Sequence, residues 1–473
     1  MLNKYLYINT IGCQMNVYDS EQIAIQLAAT GYQQTSSLEA ADLVILNTCT
    51  VRAKAEQKAF SFLGRLARLK KKKPGLIVGV GGCVAQQEGA KILKRIPHLD
   101  LVFGTQAIDR LPALISKIEA KRCRIVDVSM TDHPELLDAA PAGQNHNPVS
   151  RFVTIMRGCD NYCTYCVVPY VRGRETSRHP DNIVKEIKLF VDSGVKEVTL
   201  LGQNVNSYGK KEGLLSFTEL LARVQTIEGL LRIRFTTSHP KDFDQDLIDA
   251  FQANDKLCNH IHLPVQSGSN RMLKRMNRKY TKELYLDKVA KLRDTCPDIA
   301  ITSDMIVGFP GESDADFDET LDLMRKVAFD GLFAFMYSDR PNAPATQFKA
   351  KISDPQKSER LQILLELQET YTRKKNEALI GSIQPIIAEG FSKKQSSGSL
   401  DEPNQVAQWT GRTSTNKIVN FYHRDIPGSS RDIFPGKVVH VKIDKAYAHS
   451  LWGKPVAIES TVEGLKGEKS YAA

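Results

Sequence analysis

Three cysteines, Cys159, Cys163 and Cys166, stand within eight residues in RFVTIMRGCDNYCTYCVVPYVRGRETSR, a C-x3-C-x2-C arrangement just after a predicted strand. Iron-sulfur clusters are usually held by four thiolates, so three ligands this close point to a four-iron cluster with one iron left open. An open coordination position is where metal chemistry takes place. A zinc knuckle short of its fourth ligand and buried structural cysteines are the alternatives. Zinc fits poorly, because the next candidate ligand, His179, lies 13 residues beyond Cys166.

A second set is more dispersed. Cys13 in NTIGCQMN, Cys49 in LNTCTVR and Cys83 in GVGGCVAQ lie 36 and 34 residues apart. Each follows a short apolar run expected to form a strand: Tyr5 to Asn9, Leu43 to Asn47 and Leu76 to Val80. If those strands are parallel neighbours, the thiols converge outside the carboxyl ends of one sheet, where open α/β sheets hold ligands. Ordinary buried cysteines are the competing reading, weakened by the polar or glycine-bearing loops around all three. Cys123, Cys258 and Cys296 are assigned no role.

Positioning these thiols requires two sheets. Residues 1–126 read as three strand-helix units of an open α/β domain. Asp19 and Ser20 are expected to open a helix over Glu21 to Ala29, with Gly31 beyond its end. A second helix is expected from Ala53 to Leu69, and the run Lys70 to Lys73 complements the negative end of its dipole. Periodicity is lost over residues 127–150, which read as a linker.

From 151 to 380 strands and helices alternate again, as in a parallel barrel or partial barrel. Strands are expected at Val153 to Met156, Glu197 to Leu201, Arg232 to Thr236, His260 to Pro264, Ala300 to Val307 and Gly331 to Tyr337. Polar groups recur near their ends: Gln203 and Asn204, Ser238 and His239, Gln266 to Ser269, Asp304, and Tyr337 to Arg340. Barrel sites are built from such strand ends, although each group alone has an ordinary turn reading. His239, His260 and His262 are read as structural, and Ser313 as a helix cap rather than part of a phosphate loop. Ser353, Asp354 and Pro355 begin a helix that runs to about Ala378.

Over residues 381–460 the pattern changes to short strands, IQPIIAEGF, QVAQWTGRT, KIVNFYH and KVVHVKIDKAY, which suggests a small closed β-barrel of OB-like character. Lys393, Lys394, Arg412, Lys417 and Arg424, interleaved with Trp409, Phe421 and Tyr422, could offer cations to phosphate and rings to bases. A solvated barrel with an aromatic core is the alternative. Ser392 to Asn404 reads as a flexible loop.

A chain of 473 residues is long enough for two or three domains. Its net charge of +10 and pI near 9.0 favour a polyanionic partner. The opening MLNKYLYINT reads as a strand rather than a signal segment, and no apolar run approaches the roughly 20 residues that span a bilayer. A cytoplasmic chain with no membrane partner is expected. In a reducing cytosol, clustered cysteines serve metals rather than disulfides.

The string GCDNYCTYCVVPYVRGRE resembles the radical S-adenosylmethionine (SAM) enzymes and, among them, the MiaB-type tRNA methylthiotransferases. IGCQMN, LNTCTVR, HLPVQSGSNRMLKRMNRKYT and GRTSTNKIVNF help carry the likeness from Cys13 to about Val456. Asn342-Ala343 departs from the Gly-Thr common in that family. The resemblance implies an N-terminal methylthiotransferase domain with an auxiliary 4Fe-4S cluster on Cys13, Cys49 and Cys83. It implies a partial (β/α)6 radical SAM barrel with a 4Fe-4S cluster on Cys159, Cys163 and Cys166, and a C-terminal TRAM domain that binds RNA. SAM would be chelated by the open iron, with Tyr165 near its adenine and Gln203 and Asp304 as polar contacts. No catalytic side chain is implied beyond the cluster ligands.

The implied reaction adds a methylthio group to C2 of N6-isopentenyladenosine on the 3′ side of a tRNA anticodon. Reductive cleavage of SAM gives a 5′-deoxyadenosyl radical that takes hydrogen from the base, while the auxiliary cluster supplies sulfur methylated by a second SAM. Implied partners are the tRNA anticodon stem-loop, an electron-donor protein and a sulfur source. One rival is the matching modification of N6-threonylcarbamoyladenosine. A rival of another class is a non-enzymatic iron-sulfur protein that binds RNA or senses redox state.

Overall fold

The computed structural model describes residues 4–50, 53–131, 149–392, 408–422 and 435–458. The first of three parts runs β1 (Lys4–Ile11), α1 (Gln14–Ala28), β2 (Tyr32–Gln34), β3 (Leu43–Thr48), α2 (Ala53–Lys72), β4 (Ile77–Gly82), α3 (Cys83–Glu88), α4 (Ala90–Arg95), β5 (Leu101–Phe103), α5 (Leu111–Ala120) and β6 (Ile125–Asp127). Its strands form one parallel sheet in the order β2-β1-β3-β4-β5-β6. β3 and β4 are buried end to end, as strands covered on both faces must be. Val44, Leu46, Val78 and Val80 pack against Phe62, Leu63 and Leu66 of α2. Leu43, Ile45 and Ile77 pack on the other side with Ile23 and Leu27 of α1 and Ile115 and Ile118 of α5.

The sequence pattern misses β2 and β5, which have three residues each, too few to display a period. It also misplaces the start of α1. The helix begins at Gln14, with Cys13 at its N-cap and the Asn16 side chain accepting from the Cys13 amide at 3.2 Å. Asp19 and Ser20, expected to open the helix, are buried within it. Asp19 survives there because it faces Arg172 at 2.8 Å and Arg157 at 3.5 Å. Of the lysine run ending α2, Lys70 pairs with Asp100 and Lys73 with Asp42, so part of that charge is neutralised locally.

The second part runs β7 (Ser150–Thr154), β8 (Met156–Arg157), α6 (Val168–Arg172), β9 (Thr176–Ser177), α7 (Pro180–Asp192), β10 (Glu197–Leu201), α8 (Phe217–Gln225), β11 (Arg232–Phe235), α9 (Gln245–Ala253), β12 (His260–His262), α10 (Asn270–Arg275), α11 (Lys282–Thr295), β13 (Ala300–Val307), α12 (Asp314–Val327) and β14 (Gly331–Met336). β7, β10 and β11 pair in parallel, as do β12, β13 and β14, and a parallel bridge between Ile233 and Leu257 joins the halves. The result is a partial (β/α)6 barrel. Val198, Leu200, Ile233, Ile261, Ile301 and Met305 face the helices in the main core. By the two-residue period of a strand, Thr199, Arg234, His262, Thr302, Asp304 and Phe333 lie on the opposite, inward face. Ser313 caps α12 as expected, and Ser353 caps α13 (Asp354–Glu377).

β15 (Ile383–Phe391), β16 (Gln408–Arg412), β17 (Ile418–Tyr422), β18 (Val438–Ala446) and β19 (Leu451–Ile458) close a five-stranded barrel in the order β15-β16-β17-β19-β18. β19 goes unrecognised in the sequence because Gly453 and Pro455 interrupt it. Two of the rings offered to bases are core instead: Trp409 and Phe421 pack with Ile386, Val441 and Leu451. Tyr422 is exposed, its ring centroid 4.6 Å from that of Trp452. Arg412 is turned to Glu389 at 3.3 Å, and Lys417 lies 3.5 Å from Asp330 and donates to Asn376 at 2.8 Å. Lys417 thus fastens the barrel to its neighbour rather than lying open to phosphate, while Arg412 pairs within the barrel and stays partly exposed. Lys393, Lys394, Arg424, residues 393–404 of the expected flexible loop and residues 132–148 of the linker lie outside the described residues. No described helix is long and apolar enough to cross a membrane.

Candidate metal centres

Cys13, Cys49 and Cys83 sit just beyond the carboxyl ends of β1, β3 and β4, which are adjacent in the sheet. Side-chain amides and hydroxyls tie the three loops together. Asn16 donates to Asn47 Oδ1 at 3.0 Å and to the Thr48 carbonyl at 3.2 Å, while Asn47 donates back to the Asn16 carbonyl at 2.9 Å. Thr48 donates to the Gly81 carbonyl at 2.6 Å. Gly82 has φ +88°, and a Cβ there would meet the Thr48 carbonyl at 2.3 Å, so only glycine brings Cys83 this close to the middle loop. A hydrogen bond with Cys49 brings the Cys13 thiol down to about 6 against the cost of desolvation. Burial pushes the Cys83 thiol up, and Arg172 beside it opposes that.

The second triad occupies the loop between β8 and α6. Gly158, at φ +75°, turns the chain into Cys159 where a Cβ would collide with the Arg174 carbonyl at 2.0 Å. Gln203 accepts from the Gly158 amide at 2.6 Å, and the Cys166 amide donates to the Cys163 carbonyl at 2.9 Å. The segment after α10 braces the loop: Asn277 donates to the Tyr162 carbonyl at 3.0 Å, and Thr164 donates to the Arg275 carbonyl at 3.0 Å. Arg278 reaches Cys163 Sγ at 3.4 Å and the Tyr165 hydroxyl at 3.2 Å, and donates to the Pro264 carbonyl at 2.7 Å. Burial raises the Cys159 thiol to about 11 and the Cys166 thiol to about 12.

The two triads share a wall. Cys83 packs with Val167, Val171 and Ala343, so the residue following Cys166 touches the third cysteine of the other set. Thr105 donates to the Val171 carbonyl at 2.6 Å, and Arg172 at the end of α6 reaches back to Asp19. The loop carrying the family departure bridges both sets, since Ala343 meets Cys83 and the Ala345 amide donates to the Thr164 carbonyl at 2.8 Å. Asn342 has φ +70°, a conformation glycine adopts freely and asparagine tolerates better than most residues.

Both sets fit a cluster of several irons. Cluster thiolates each bind a different iron, and each set offers three cysteines free of disulfides. A guanidinium stands beside each triad, Arg172 by Cys13 and Cys83 and Arg278 by Cys163, as suits an anionic thiolate-ligated group. At the carboxyl ends of β10 and β11 the Asn206 carboxamide, the Ser238 hydroxyl and His239 Nε2 are buried without a partner. Orphaned polar atoms there suit a polar cofactor.

Of the expected SAM contacts, Tyr165 lies beside Arg278, Gln203 supports the cysteine loop, and Asp304 stands 3.4 Å from His262 on the inward face. His239 is held neutral by burial and its Nδ1 accepts from the Lys241 amide at 3.2 Å, so the structural role expected from sequence accounts for one ring nitrogen and leaves Nε2 without a partner. Sequence reasoning missed Asn16, Asn47, Asn277, Arg278 and Arg172. All five lie inside strings already singled out, but nothing in those strings says which polar side chain turns inward.

Residues 5–104 match the model of Uncharacterized protein family UPF0004, and residues 153–324 match that of the Radical SAM superfamily. Among solved structures, the radical S-adenosylmethionine methyltransferase TsrM from Kitasatospora setae is 14% identical, with a TM-score of 0.56 over 73% of this chain and 75% of that one, a likeness of fold. The tRNA-2-methylthio-N(6)-dimethylallyladenosine synthase of Desulfosudis oleivorans is 54% identical over 98% of each chain. Those of Syntrophus aciditrophicus and Geobacter sulfurreducens are 52% and 49% identical, over 96% of this chain and 95% and 98% of theirs. With identity at that level along nearly the whole of both chains, this chain belongs to the family of tRNA-2-methylthio-N(6)-dimethylallyladenosine synthases, radical SAM enzymes.

Proposed function

We propose that the protein attaches a methylthio group to C2 of N6-dimethylallyladenosine, the isopentenyl-bearing base on the 3′ side of a tRNA anticodon. The observation that carries this reading is the meeting of two thiol triads across one wall, with Cys83 packed on the residue after Cys166. Cys159, Cys163 and Cys166 would hold the cluster that binds SAM, and Cys13, Cys49 and Cys83 the auxiliary one. When bound, these groups supply one-electron chemistry able to remove hydrogen from an aromatic carbon, together with the sulfur to replace it.

The chain's own part is binding and exclusion of water. Arg278 and Asn277 fix the loop of the barrel triad, and Arg172 neutralises charge beside the other. Tyr165, Gln203 and Asp304 remain our candidates for contacts to SAM. An unpaired anticodon loop lets the target base leave its stack at low cost. The net charge of +10 favours tRNA as the polyanion, with a one-electron donor and a sulfur source as further partners. The relatives' names favour the dimethylallyl substrate over the threonylcarbamoyl one.

The test combines Cys13→Ala, Cys49→Ala and Cys83→Ala in one anaerobically reconstituted protein. Half the iron, retained 5′-deoxyadenosine formation and no methylthio product are expected by nucleoside mass spectrometry. Full turnover by this variant would overturn the two-site reading. Unchanged methylthio content in tRNA from cells lacking the gene would overturn the substrate.

A further inference from the structure

Two tyrosines that neither triad uses stand at the surface beside both. Tyr162 lies between Cys159 and Cys163, and Tyr170 lies on α6, the helix whose Val171 packs on Cys83. The two residues are 41% and 36% exposed, with ring centroids 6.4 Å apart and planes at 80°. Burying an aromatic ring is favourable, and the fold leaves both of these residues partly in solvent. Tyr162 has φ +48°, unfavourable for a residue with a Cβ, and Asn277 pins it there by donating to the carbonyls of residues 161 and 162 at 3.3 and 3.0 Å. Asp160, two residues before Tyr162, is paired with Arg174 and Lys211 at 3.0 and 3.1 Å, which ties down the start of the same loop.

We propose that Tyr162 and Tyr170 form a stacking platform for the unpaired RNA base next to the target adenosine. This rests on the reading of the protein as a tRNA-modifying enzyme. A base turned out of a loop for chemistry leaves its neighbour without a stacking partner. An exposed aromatic face replaces that partner for any of the four bases.

The test is the binding of a fluorescein-labelled anticodon stem-loop RNA carrying dimethylallyladenosine to the anaerobic holoenzyme, compared across wild type, Y162A, Y170A, Y162F and Y170F. Each alanine variant is expected to raise Kd about 5- to 100-fold, and each phenylalanine variant less than about twofold. The slope of log Kd against log salt stays the same, because no charge is removed. RNA made abasic on one side of the target or the other is expected to lose affinity for wild type on one side only. That loss and the alanine loss should not add.

Unchanged Kd in Y170A at wild-type iron content overturns the platform, as does full additivity with both abasic RNAs. Iron analysis separates a collapsed cluster loop from a lost stack, and Y170A decides the matter if Y162A loses iron. If wild type binds this RNA no better than an unrelated hairpin, the tRNA reading fails instead.

Discussion

At the scale of single residues, burial decides how the thiols of the barrel triad behave before metal arrives. Cys159 and Cys166 are held protonated at neutral pH, and a cluster has to displace those protons. Iron incorporation into the protein with Cys13, Cys49 and Cys83 replaced by alanine is therefore expected to speed up from pH 7 to pH 9, followed by absorbance during reconstitution. Glu175 gives a second pH effect. Desolvation raises its carboxyl to about 7. The unfolded chain loses that proton near pH 4.5 while the folded one keeps it, so stability falls as pH rises between those values. Glu175→Gln should flatten that fall by about 1–2 kcal/mol, allowing for partial hydration, in melting temperatures taken from pH 5 to pH 8.

Asn342 is a third case. Asn342→Gly should be tolerated, whereas Asn342→Val, β-branched in the left-handed region, should cost about 1–2 kcal/mol and loosen the loop across both triads. Thermal unfolding with iron analysis checks both. Here the sequence was only half legible. The difference from Gly-Thr is visible in the string SDRPNAP, but the positive φ that explains it belongs to the folded backbone.

At the scale of elements, legibility followed the clarity of the apolar run more than strand length, since β12 lies in an expected strand and the interrupted β19 does not. β3, β4, β10 and β13 fall where apolar runs place them, while the three-residue β2 and β5 carry too little pattern. The glycines before Cys13, Cys83 and Cys159 are visible in the sequence, and two of them mark turns with positive φ. α1 shows the opposite failure. Asp19 and Ser20, good cap residues, point to a start at Glu21, yet the helix begins about two turns earlier, at Gln14, because Asn16 holds the Cys13 amide and Asp19 is consumed by arginines from the barrel. No local rule contains that pairing. The brace after α10 is testable as an element. Arg278→Met removes the donors to Cys163 and to the Pro264 carbonyl, and is expected to cut iron in the barrel triad while the other retains its own. Total iron near half of wild type with 5′-deoxyadenosine formation abolished is the outcome to look for.

At the scale of the whole molecule, the C-terminal barrel is docked by buried charge. Arg234 lies 2.9 Å from Glu197 with both side chains buried, and donates to the carbonyls of Thr413 and Ser414. Arg234→Met leaves Glu197 desolvated without a partner and should cost about 3–5 kcal/mol, whereas Arg234→Met with Glu197→Leu should recover part of it. Calorimetry checks the pair.

The helix from Val168 to Arg172 has a wider consequence. It starts within two residues of the last barrel thiol, and the valine before it already presses on a thiol of the first domain. The separation of the two triads is thus set by one short helix and by the packing of Cys83 on its first turn. To change that separation, the first domain would have to slide its third cysteine across the valines of this rod.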